Sequence, residues 1–147
     1  MTETSSTERG TLSDSQRRWV AVLATALLFP WGVARWLDPD PRGHGTHEQL
    51  RLPPCSFVLL FGRRCPTCGM TTAWANLARC QLGAALRANV AGALLGLLAL
   101  VAVPWLGLSA WRGRWLGWTP DGTMAFWVAM AVCAVALIDW VVRLSAG

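Results

Sequence analysis

Residues 88–111 read ANVAGALLGLLALVAVPWLGLSAW, with no charged side chain among them. As an α-helix rising about 1.5 Å per residue, this run is ~36 Å long, enough to cross the ~30 Å hydrocarbon core of a bilayer. A surface helix of a water-soluble protein would carry a polar face over such a length. Two further runs flank it: residues 19–37 (WVAVLATALLFPWGVARWL) and residues 124–142 (MAFWVAMAVCAVALIDWVV). Pro30 lies inside the first, which membrane helices tolerate, and Arg35 near its end can snorkel to the headgroups. The runs predict an all-α integral membrane protein, multi-pass in the cell membrane, with about three transmembrane helices. Residues 1–18 (MTETSSTERGTLSDSQRR) are polar without apolar periodicity and read as a disordered tail, ahead of a single membrane domain over 19–147. The first run reads as a retained anchor rather than a cleaved signal, because the later segments are membrane-like too.

Composition agrees. Of the 147 residues, 54% are hydrophobic and 14% charged, against roughly 25% charged in an ordinary soluble domain. All 13 basic residues are arginine, and they leave a net charge of +5. They lie at the ends of apolar runs, where they face lipid headgroups, rather than in one patch. Nucleic acid is therefore not an expected partner; the lipid bilayer is, and another membrane protein is a second candidate. The ten tryptophans fit the same picture. Trp19 and Trp36 bracket the first run, and Trp105, Trp111, Trp115 and Trp118 gather at the end of the second, as expected of a ring that is apolar with a polar N–H.

Between the first two spans lie residues 38–54 (DPDPRGHGTHEQLRLPP), with four prolines and two glycines. They read as a loop without regular structure, its histidines His44 and His47 in solvent. A cysteine segment, residues 55–80, follows and holds Cys55, Cys65, Cys68 and Cys80; Cys133 sits mid-span and reads as a small packing residue. In Cys65-Pro66-Thr67-Cys68-Gly69, two thiols are two residues apart on a turn made tight by Pro66 and released by Gly69. A membrane-proximal amphipathic helix is expected from about Gly69 to Ala78, with Thr67 or Thr71 as its cap.

Three readings of this turn stand side by side: a structural turn or disulfide, a metal site, and a redox pair. As a metal site, the turn supplies two of the four ligands a tetrahedral zinc needs. Cys55 is the third candidate, and His44 or His47 the fourth; Cys80 lies ~18 Å along a straight helix from Cys68 and fits poorly. Zinc or iron suits such a donor set. As a redox pair, Cys65 would be a nucleophile activated at a helix N-terminus beside Arg63 and Arg64, and Cys68 its resolving thiol, with a quinone as a candidate acceptor of the electrons.

Leu52-Pro53-Pro54-Cys55, then Cys-Pro-Thr-Cys-Gly-Met-Thr over 65–71, then Ala84-Ala85-Leu86-Arg87-Ala88-Asn89 at the head of a span, resembles the domain of unknown function 2752 family of small bacterial membrane proteins. Cys55, Cys65, Pro66, Cys68, Gly69, Thr71 and Asn89 carry the resemblance. Thr72 stands where an arginine is common, Cys80 where glycine is usual and Val90 where proline is common. The resemblance implies a multi-span membrane protein without an established activity. Three matching thiols favour a metal, or one disulfide plus a free thiol, over two redox pairs. The leading expectation is non-enzymatic: an interaction or accessory protein whose cysteine turn is structural or binds metal through Cys55, Cys65 and Cys68. The alternative is a membrane thiol-disulfide oxidoreductase using Cys65 and Cys68. At membrane depth, Asp139 needs a partner, and Arg143 at i+4 or Arg35 can provide it.

Overall fold

The structure is a computed structural model and describes residues 10–145. In chain order it contains α1 (Asp14–Trp36), a 3-10 helix (Thr46–Leu50), α2 (Ser56–Phe61), α3 (Met70–Leu77), α4 (Leu82–Ala88), α5 (Val90–Arg112) and α6 (Gly122–Ser145). The fold is all-α. Three helices, α1, α5 and α6, are long and apolar enough to cross a membrane.

The three differ in how much protein surrounds them. Of each apolar window, 33% is buried in α5, 11% in α1 and none in α6, so α5 is the central helix and α6 the outer one. Phe29, Val101 and Ile138 all stand more than half exposed. A continuous apolar surface of this extent is unfavourable in water and natural in lipid.

The first helix begins earlier than its apolar run. It starts at Asp14, where the sequence reads as tail, because Ser13 and Gln16 form a capping box. The Ser13 hydroxyl accepts the Gln16 N–H at 3.3 Å, and the Gln16 side chain accepts the Ser13 N–H at 2.9 Å. Two N–H groups that a helix start leaves unpaired are thereby satisfied. The chain just before is fixed as well: the Leu12 N–H donates to Gly113 O and the Trp115 N–H to Gly10 O, both at 2.8 Å. Leu12 is buried with Val20, Ala24, Leu106 and Ala110 at this end of the α1–α5 pair. Arg17 Nε donates to Ala110 O at 2.6 Å, which satisfies a terminal carbonyl of α5 and places a cation at the negative end of its dipole. The remainder of the expected tail, residues 1–9, lies outside the described residues.

The other end of the molecule is built from short pieces. Residues 38–54 are not without regular structure: they hold the 3-10 helix, entered at Gly45 with φ 91° and left at Arg51 with φ 59°. The helix forms there because Thr46 is fully buried, its hydroxyl 2.7 Å from that of Thr72 on α3. The expected amphipathic helix runs Met70–Leu77, and it is capped by neither threonine; Gly69 occupies the N-cap position with φ 91° and no side-chain bond. α4 begins at Leu82, directly after a turn in which Cys80 takes a positive φ of 59°, and stops at Asn89, whose extended backbone (φ −166°, ψ 114°) separates it from α5. The Asn89 side chain then caps α5, accepting the Gly92 N–H at 2.6 Å.

α3 lies directly on the glycine face of α5. A Cβ at Gly92 would sit 3.0 Å from Met70 Cα, and one at Gly96 2.6 Å from a methyl carbon of Leu77. The small residues therefore serve a close helix contact, with α3 as the partner, and Trp74 Nε1 donates to Gly92 O at 2.9 Å across it. Gly92→Leu is expected to push α3 from α5 and cost about 1–3 kcal/mol, seen as earlier thermal unfolding in detergent. Gly107→Leu, where a Cβ meets nothing within 4 Å, is expected to leave the transition in place.

Candidate metal centre

Two separate segments bring three thiols together. Cys55 is the residue at the head of α2, and Cys65 and Cys68 lie on the turn before α3. The sulfur atoms of Cys55, Cys65 and Cys68 all lie within 4.8 Å of one another. The turn closes through the Cys68 N–H donating to Cys65 O at 3.0 Å and the Met70 N–H to Thr67 O at 3.1 Å. Cys65 Sγ sits 3.3 Å from the Thr67 hydroxyl. Only glycine fits at position 69: besides its positive φ, a Cβ would lie 2.5 Å from Ala88 O and 2.6 Å from Gly43 O. That residue thus lets α4 and the 38–54 loop pack on the turn from two sides.

The turn is clamped from the membrane helices. Asn89 Nδ2 donates to Pro66 O at 3.0 Å and to Cys68 O at 3.2 Å. Arg143 of α6 reaches the same two carbonyls, Cys68 O at 3.3 Å and Pro66 O at 3.4 Å. Arg143 is itself aimed by an ion pair with Asp139 at 2.7 Å, the i+4 partner rather than Arg35. Trp140 Nε1 adds a bond to Arg64 O at 2.7 Å, and an Arg63 guanidinium nitrogen donates to Leu144 O at 3.2 Å. The carboxyl end of α6 is therefore fastened to the cysteine turn. The i+4 spacing of Asp139 and Arg143 is legible in the sequence; the reach of Arg143 to Pro66 and Cys68, over 70 residues away in the chain, is not.

The thiols differ in acidity. The backbone N–H of Val58 beside Cys55 lowers its pKa below that of an ordinary thiol, in spite of partial burial. Burial pushes Cys68 up to about 11, and negative charge on Cys65 and Cys55 pushes in the same direction. Three thiols this close cannot all ionise cheaply unless a cation shares their charge. Cys65 lies five positions before Met70, the first residue of α3, so it does not sit at that helix's N-terminus, the feature the redox reading attaches to it.

The remaining candidates separate cleanly. Cys80 follows α3 with φ 59° and is exposed, and Cys133, read from the sequence as a packing residue, is instead exposed on α6, which buries no residue. Neither lines the cavity of about 300 Å³ into which the three thiols open. His47 does line that cavity, and His44 does not. His44 is partly buried, and that burial together with the Arg64 and Arg42 guanidiniums lowers its pKa. Thr72, at the position where the resembled family commonly has arginine, is buried and holds the loop through Thr46.

Residues 55–103 match the family model described as a protein of unknown function, DUF2752. This is the family the sequence resembles, and the matched stretch runs from Cys55 through the turn and α3 into α5. No curated protein and no solved structure matches the chain.

Two outcomes follow from this geometry. In metal-free protein at about pH 8, Cys55 is expected to alkylate readily. Cys68, with about one thiol in a thousand ionised, should react only on unfolding or at strongly alkaline pH; peptide mass mapping against pH reads both. Asn89→Ala removes the α5 cap and two of the four bonds to the turn carbonyls. It is expected to cost about 1–3 kcal/mol in stability and to make Cys68 react at lower pH.

Proposed function

We propose that this chain is a multi-pass protein of the cell membrane whose cysteine turn holds one thiophilic metal ion, zinc or iron, through Cys55, Cys65 and Cys68. The centre is structural, and the protein acts as an interaction or accessory subunit rather than as an enzyme. The observation that carries the reading is the convergence of three sulfurs within 4.8 Å from two segments that the sequence separates by ten positions. A metal ion gives that convergence a physical purpose, since it offsets the mutual repulsion of thiolates packed against each other. The backbone of the turn is held by hydrogen bonds from Asn89, between α4 and α5, and from Arg143 of α6, which supports a site organised ahead of the ion.

Elemental analysis of protein purified in detergent without added metal is the test. About one zinc or iron per chain is expected, with loss in Cys55→Ser, Cys65→Ser and Cys68→Ser and retention in Cys80→Ser and Cys133→Ser. Metal-free protein carrying a Cys65–Cys68 disulfide that exchanges with glutathione would overturn this reading in favour of thiol-disulfide chemistry.

A further inference from the structure

Three sulfurs leave one position of a tetrahedral ion open, and the wall of the cavity supplies one further imidazole. We propose that His47 is the fourth ligand, so that the site is a closed zinc centre of three thiolates and one imidazole; this rests on the metal reading above and deepens it.

Four observations support the assignment. Among the described residues, His47 is the only imidazole or carboxylate on the wall of the cavity that the three thiols share. Its backbone is fixed. The preceding residue, Thr46, is fully buried, its hydroxyl 2.7 Å from that of Thr72 and accepting the Asp40 N–H at 3.0 Å. Thr72 stands on α3, one turn beyond Cys68, so the histidine and the thiols are tied to the same short helix. The neighbouring charges of the loop are paired with each other, Arg42 with Asp40 at 2.7 Å and with Glu48 at 3.2 Å, and no carboxylate among the described residues lines the thiol cavity. His44 does not line this cavity and lies instead near Arg64, Arg42, Asp40 and Glu48.

The imidazole of His47 lies outside the 4.8 Å group formed by the thiols. The assignment therefore requires the side chain to rotate about its held backbone and bring a ring nitrogen onto the ion. Imidazole with thiolates is a donor set for zinc, and four protein ligands close the site to substrate. The consequence is mechanical: the ion fastens the 38–54 loop to the heads of α2 and α3, and a water-exposed loop becomes part of the membrane domain.

The experiment titrates zinc into full-length, chelator-treated protein in detergent, against a competing chelator, with histidine-ring ¹⁵N spectra recorded alongside. Wild type is expected to bind one zinc with a coordination shift of one ring nitrogen. His47→Ala is expected to weaken zinc at least about 100-fold, more than loss of an outer-shell partner does, and to abolish that shift. His44→Ala is expected to change neither. Should His47→Ala unfold the protein, the wild-type ring spectrum still decides, since a zinc-bound form without any shifted histidine overturns the assignment. Unchanged affinity in a folded His47→Ala overturns it too while the three-thiolate reading stands. Failure of wild type to bind zinc overturns both.

Discussion

Everything at the cysteine end depends on how two carbonyls are satisfied. Pro66 O and Cys68 O belong to a turn that carries too few internal partners of its own, and both accept from Asn89 and from Arg143. A partly buried carbonyl left without a donor costs about 1–3 kcal/mol, so these four bonds fix where the turn sits. Asn89 can do this because it stands outside both neighbouring helices, capping α5 with one side-chain atom and holding the turn with the other. Arg143 can do it because Asp139 one turn earlier orients its guanidinium. A single constraint thus joins α5, α6 and the thiols, and it explains why α6, with no buried window of its own, has a defined place at this end.

The opposite end follows a different rule. There α1 and α5 meet through Leu12, Val20, Ala24, Leu106 and Ala110, and polar termini are closed by Arg17 and by backbone bonds between residues 10–12 and 113–115. Trp105 stacks against Trp115 at 5.3 Å and Trp118 at 5.5 Å beside the same end, where aromatic rings with a polar N–H suit a membrane surface. Between the two ends, helices present apolar side chains outward to lipid. The described residues therefore concentrate their polar bonding at both rims, and the three clustered thiols lie at one of them.

Much of this is legible in the residues themselves. The three long apolar runs reveal the spans because length and composition suffice for a helix in lipid. The three thiols stand out as candidates through the turn and through the resemblance carried by Leu52–Cys55, the 65–71 motif and Asn89, and residues 55–103 match that family's model. The start of α1 is legible too, in Ser13-Asp14-Ser15-Gln16, yet the polarity of that stretch hides it behind a disordered reading. What the sequence conceals is long-range. Four prolines and two glycines make residues 38–54 look unstructured, while a threonine pair 26 positions apart, Thr46 and Thr72, holds a helical turn there. The same contact separates His47 from His44, two residues that look equivalent in a His-Gly-Thr-His string. The place of α4 is also set at long range, because Ala85 and Ala88 bury against Ala73 and Ala93 on α3 and α5.

On the proposal above, the clamped turn exists to hold a metal ion through sulfur. Metal-edge X-ray absorption on protein extracted from membranes and never exposed to added metal reads that claim most directly. It predicts an ion with three sulfur neighbours at about 2.3 Å. An ion surrounded by oxygen and nitrogen alone, or sulfur-edge spectra dominated by disulfide in protein that carries no metal, would contradict it.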